Sequence, residues 1–95
     1  MGIMDDFKLY RDVNRVQIET VLADLELGLT FADRALGTDN PETCARNRAN
    51  AREAYFKIHD EFLSRCSPDD SERARIDDKL RELRRRLKRL GESCD

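Results

Sequence analysis

The chain has no tryptophan, one histidine, two prolines and four glycines in 95 residues. One histidine leaves nothing for chemistry that needs paired imidazoles. The positions three and four residues from His59 are Tyr55, Phe56, Phe62 and Leu63, none of them a carboxylate, and Asp60 beside it points elsewhere on a helix. A partly exposed structural histidine is expected, and no catalytic residue, metal ligand or cofactor site is assigned. No Glu-x-x-His pair is present for a di-iron bundle site. No apolar run approaches the ~20 residues of a transmembrane helix, so no membrane association is expected. The N-terminus lacks the basic and apolar regions of a secretory signal, and Asp6 stands where a myristoylation signal has Ser or Thr.

Three cysteines form an odd set without framework spacing, which points to a reducing, cytoplasmic setting. Cys44 and Cys66 fall on one helix about 33 Å apart at 1.5 Å per residue, too far to pair. Cys44 and Cys94 come to one level if the helices fold back on each other, so a bridge is conceivable there, but unbonded thiols are the expectation.

What the chain does have is charge and helical periodicity. Charged residues make up 40 % of it, a density compatible with disorder, but the apolar residues between them are periodic rather than scattered. Few Gly and Pro beside abundant Ala, Leu, Glu, Asp and Arg fit an all-α class. The net charge of −2 gives no global attraction to nucleic acid. It is unevenly spread: residues 1–40 carry four basic and eight acidic groups.

The strongest pattern is Ile76, Leu80, Leu83, Leu87 and Leu90, at steps of four and three, flanked by charge. This is a helical seam that needs a partner face. The stripe Ile18, Val21, Leu22, Leu25, Gly28, Leu29, Ala32 and Leu36 marks a first helix over about 6–36, with a possible kink near Asn14. Gly37 is placed to end it in the left-handed conformation. Asn40-Pro41 restarts the chain as a cap and first helical residue. A second helix, about 41–66, carries Cys44, Ala51, Tyr55, Ile58, Phe62 and Cys66, with Ala45, Ala49 and Ala54 beside them. Ser67-Pro68 begins a third over about 68–90, with Asp70 at a capping-box-like spacing from Ser67 and Gly91 as terminator. The fold expected is an all-α antiparallel three-helix bundle in one domain, 6–91, with residues 1–5 frayed and 92–95 loose.

Short connections make neighbouring helices antiparallel. In the second hairpin, residues numbered to a sum of about 138 should meet: Phe62 with Ile76, Ile58 with Leu80, Tyr55 with Leu83, Ala51 with Leu87. In the first, sums near 77 place Ala32 against Ala45 and Gly28 against Ala49, and small residues there would allow close backbones. Helix two would be shared by both neighbours.

With Leu25, Gly28 and Leu29 on one helix, Ala51 and Tyr55 on the next and Pro68 after it, about 45 residues resemble a tetratricopeptide-type helical hairpin followed by a capping helix. By shape the plan is also similar to the microtubule-interacting-and-transport domain. Either resemblance implies binding of a peptide or helix in an interhelical groove.

Two stretches are candidates for interaction. The basic run Arg84, Arg85, Arg86, Lys88 and Arg89 reads first as a solvated helix end suited to the helix dipole. Its second reading is an acidic-protein contact, and nucleic acid, the third, is disfavoured by the absence of interleaved aromatics. Phe7, Tyr10, Val13 and Val16, at the open end of the first helix, and Leu27, Phe31, Phe56 and Leu63, off the main stripes, are apolar residues without an assigned partner. They predict a protein partner or a homodimer. The sequence thus points to a non-catalytic helical interaction or structural module, with nucleic-acid binding as the alternative.

Overall fold

Helix α1 (Ile3–Gly37) is the axis of the molecule: 35 residues, about 52 Å at 1.5 Å per residue. The computed structural model describes residues 3–61 and 67–91, with side chains described from Val13 onward. Helix α2 (Pro41–Phe56) continues into a π-helical turn, Lys57–Glu61, and helix α3 (Asp70–Arg89) follows. The described residues contain no strand. The three helices give a rod with extents of 58 × 21 × 17 Å. Its radius of gyration of 16.0 Å exceeds the ~12 Å of a globule of this length.

The helix boundaries follow local chemistry. Asn40 Oδ1 accepts hydrogen bonds from the backbone N–H of Glu42 at 2.9 Å and Thr43 at 3.1 Å, and Pro41 occupies the first turn, where no donor is lost. The cap of α3 is Asp69 rather than Ser67. Asp69 Oδ1 accepts from Glu72 N at 2.7 Å, and Glu72 Oε1 accepts from Asp69 N at 3.0 Å. A glutamate at the third helical position reaches the cap backbone, which the shorter Asp70 side chain expected there cannot do. Gly91, at φ +86°, closes α3 in the left-handed conformation. Gly37 does not: it is the last residue of α1 and its φ is not positive.

Asn14 does not break α1. Its Oδ1 accepts from Ser67 N at 2.8 Å and its Nδ2 donates to Ser67 O at 3.1 Å. One side-chain amide thus satisfies both backbone groups of the residue that leads into α3. The same sequence separation recurs along the molecule: Asn14 with Ser67, Glu26 with Lys79, and Asp33 with Arg86. A constant offset means that α1 and α3 run parallel, as the first and third members of an up-down-up bundle must. It also sets the start of α3, Asp70, level with Gln17 of α1, with Ser67 just before it held by Asn14.

The core is Ile18, Val21, Leu25, Ala32 and Ala35 of α1, Ala51 and Tyr55 of α2, Ile58 of the π turn, and Ile76, Leu80, Leu83 and Leu87 of α3, all buried. The α2–α3 register agrees with its sequence expectation at the far end, where Arg48 Nη1 donates to Leu90 O at 3.5 Å. Phe62, Leu63, Cys66 and Cys94 lie outside the described residues. Cys44 is a half-buried free thiol.

Two expectations about packing are corrected. The shared helix is α1, which packs along both partners, while α2 and α3 touch less. In the first hairpin Gly28 faces Ala54 and Leu83, not Ala49: a Cβ built on Gly28 would stand 3.0 Å from each of them. Ala45 and Ala49 are exposed. Ala49 stands two residues, about 200°, round the helix from buried Ala51, so the two cannot share a face. The inward position between Cys44 and Ala51 is filled by Asn47, buried, with its Nδ2 donating to Thr43 O at 2.9 Å.

Candidate functional site

Three places bring chemistry-bearing or unpartnered side chains together. The first is the basic end of α3, which the tertiary structure divides. Arg86 turns inward with its side chain 24 % exposed. Its Nη1 lies 3.3 Å from Asp33 Oδ2 and 3.4 Å from Leu29 O, and its Nε lies 3.4 Å from Glu82 Oε1. Arg86 is therefore a staple between α3 and α1, not part of the solvated face expected from the sequence. Arg85 Nη1 reaches Glu82 Oε2 at 2.7 Å, and Arg81 Nη1 lies 3.4 Å from Asp78 Oδ1. Arg81, Arg84, Arg85 and Lys88 line an open hollow of about 310 Å³ on one helix face, with Arg84 half-buried and Lys88 and Arg89 exposed. Two of those cations already face carboxylates of their own helix, so the hollow presents less charge than the sequence run implies.

The second place is the π turn. His59 Nδ1 lies 2.9 Å from Asp60 Oδ1, and the imidazole stacks on Tyr55 at 5.5 Å and 14°. Adjacent side chains that diverge on an α-helix thus meet at this turn. Both are more than half exposed, and a solvent-facing pair is not the preorganised dyad that proton transfer requires. Among the described residues no three of His, Cys, Asp and Glu converge where a metal ion would sit.

The third place is the outer face of α1. The large apolar side chains exposed there are Val13 at 49 %, Val16 at 57 % and Leu27 at 51 %. They are not scattered. Val13, Val16, Thr20, Ala23, Leu27 and Thr30 follow one another at steps of three and four, and all six are exposed. Lettered as a heptad with Val13 at a, they fill every a and d position. Ile18, Leu25 and Ala32 then fall at f, opposite the seam, and all three are buried in the core. The helix thus carries two seams, one consumed by the bundle and one facing water. Thr20 and Thr30 donate their hydroxyls to the carbonyls of Val16 and Glu26 at 2.8 and 3.1 Å, so both donors are satisfied within α1.

At its C-terminal half the outer seam opens into a groove of about 250 Å³ against α2, lined by Leu27, Phe31 and Ala54 with Asp24, Asn50, Glu53 and Lys57 at the rim. Phe56, named with Leu27 and Phe31 by the sequence, is half-buried elsewhere: its ring meets Tyr55 edge-on at 5.2 Å and lies under the Arg52 guanidinium at 5.4 Å. The side chains of Phe7 and Tyr10 lie outside those described. Sequence reading named Val13, Val16, Leu27 and Phe31 but divided them into two sets. The signal that joins them is the three-four spacing through Thr20 and Ala23, residues too small or polar to be noticed as apolar.

A scan against protein-family models, a search of curated proteins and a search of solved structures each return no match. What the fold and the site define is a class: an all-α three-helix bundle whose longest helix carries a second, solvent-facing heptad seam. Among the described residues no helix is long and apolar enough to cross a membrane.

Proposed function

We propose that the protein is a non-catalytic helical interaction module, and that it docks a partner helix along the outer face of α1. The observation that carries this reading is the alignment of Val13, Val16 and Leu27 on one seam opposite the buried core. An exposed apolar line at heptad spacing is the half-site of a helix–helix contact, because a second helix removes it from water without rearranging the first. The seam is about 26 Å long from Val13 to Thr30, enough for a partner of nearly five turns. Thr20 and Ala23 at its centre let a partner backbone come close. Groove binding of this kind is also what the likeness to tetratricopeptide-type hairpins and to microtubule-interacting-and-transport domains implies, and the Leu27–Phe31–Ala54 groove is where it would occur here.

The test is a photoreactive residue placed at Ala23 in the cell of origin, with a second at Arg75 on the outer face of α3 as control. Adducts at position 23 that vanish in a Leu27→Asp background support docking on this seam. Adducts at Arg75 alone, or equal labelling at both, overturn it.

A further inference from the structure

The identity of the docked helix can be narrowed by the charges that border the seam. We infer that the occupant is an amphipathic helix whose own seam is flanked by lysine or arginine; this rests on the docking reading above. In the heptad that starts at Val13, the g positions are Glu19, Glu26 and Asp33, and Asp12 continues the row in the sequence. The e positions are Gln17, Asp24 and Phe31. From residue 12 to 33 the flanks therefore hold acids and no base. In a two-helix contact the e and g residues of one chain face those of the other and set partner choice.

The acidic border survives folding. Glu26 and Asp33 meet Lys79 and Arg86 of α3, yet their side chains stay 60 % and 62 % exposed. Glu19 is exposed and Asp24 is half-buried, the latter on the same groove rim as Lys57. Across the groove, Glu53 of α2 adds a further carboxylate beside Lys57.

The same row argues against a second copy of the chain as occupant. An antiparallel α1–α1 contact sets g against g, carboxylate against carboxylate at every step. A parallel one sets g against e, bringing Glu19 to Asp24. Like charges at these positions disfavour pairing, while a basic-flanked helix meets complementary charge on both borders. The homodimer expected from the sequence has an apolar surface to use but the wrong flanks.

Three labelled peptides of about 25 residues test this by fluorescence anisotropy against the full chain. They share one Leu/Val seam and carry Lys/Arg, Glu or Gln at e and g. The basic-flanked peptide is expected to bind at least tenfold tighter than the acidic one, with the neutral one between, and to weaken several-fold from 50 to 300 mM salt. Leu27→Asp makes the face more acidic while breaking the seam, so it separates seam docking from diffuse attraction. It should lower affinity for the basic peptide at least tenfold with helicity unchanged by circular dichroism. Unchanged or tighter binding by Leu27→Asp overturns both the docking reading and the charge inference. Equal binding of all three peptides, lost together in Leu27→Asp, keeps the docking reading and overturns the charge inference. Binding of none overturns both. A concentration-dependent dimer in sedimentation equilibrium that Leu27→Asp abolishes makes a second copy the occupant, and also overturns the inference.

Discussion

Gly28→Ala sets helix propensity against packing, and the structure decides the sign. In an isolated helix the change is favourable by about 1 kcal/mol, because alanine restricts the unfolded backbone. Here the new methyl carbon would lie 3.0 Å from Ala54 Cβ and 3.0 Å from Leu83 Cδ2, against the 3.5–4.0 Å at which carbon pairs attract. Ala54 Cβ is rooted on the α2 backbone and cannot rotate aside. Leu83 is fully buried and has little space to turn into. Relief therefore requires α2 to move away from α1, and overpacking of this kind costs about 1–3 kcal/mol. Taking the middle of that range, the net effect is a loss of about 1 kcal/mol, a fall in Tm of roughly 4–8 °C for a domain this small. Thermal and urea unfolding followed by circular dichroism measure it. Ala54→Gly should be destabilising alone, yet in the Gly28→Ala background it should cost less than the two losses added, by at least about 0.5 kcal/mol. A rise of several degrees in the Tm of Gly28→Ala would show that propensity wins and that the α1–α2 approach is not close, refuting the packing described.

Asp69→Ala removes the capping-box oxygen from the start of α3 and should cost about 1 kcal/mol; urea melts read it, and an unchanged midpoint would mean that Glu72 or water replaces the cap. Asn14→Ala deletes both hydrogen bonds to Ser67, each worth about 0.5–1.5 kcal/mol; amide exchange at Ser67 should quicken more than exchange at Leu83, and uniform exchange would refute the clamp. Leu80→Asp places an unpaired carboxylate in the core and should unfold the chain, whereas Lys88→Asp should shift stability by about 0.5 kcal/mol or less. Equal tolerance of the two, by circular dichroism, would overturn the assignment of the α3 seam.

The properties legible in the sequence are those that neighbours along the chain decide. Asn40-Pro41 caps a helix with hydrogen bonds that reach two and three residues ahead. Gly91 ends one through its own φ. The line from Ile76 to Leu87 sets which face of α3 is buried, because the 3.6-residue period leaves no second choice for so regular a pattern. The second hairpin's register agrees with its sequence expectation where Arg48 reaches the Leu90 carbonyl. The cap of α3 was displaced by two residues because several acceptors stand together at Ser67–Asp70, and the one used depends on which glutamate can reach back.

Tertiary packing decided the rest. Asn14 looks like a helix breaker until Ser67, 53 residues away, is set beside it. Arg86 reads as one more cation in a basic run until Asp33 and the Leu29 carbonyl arrive from α1. Ala49 and Ala54 are equally small in the sequence, and only the rotation of α2 sends one to water and brings the other against Gly28. The outer seam of α1 has the same origin. The inward line through Ile18, Leu25 and Ala32 is already the strongest stripe of the first helix in the sequence, and it is the one buried. The weaker line beside it, interrupted by Thr20 and Ala23, gives no sign on its own of whether a neighbour covers it. The bundle consumes the line through Ile18, Leu25 and Ala32, and what it leaves exposed, Val13 to Thr30 with acids along the border, becomes visible as a surface only once the other two helices have taken their places.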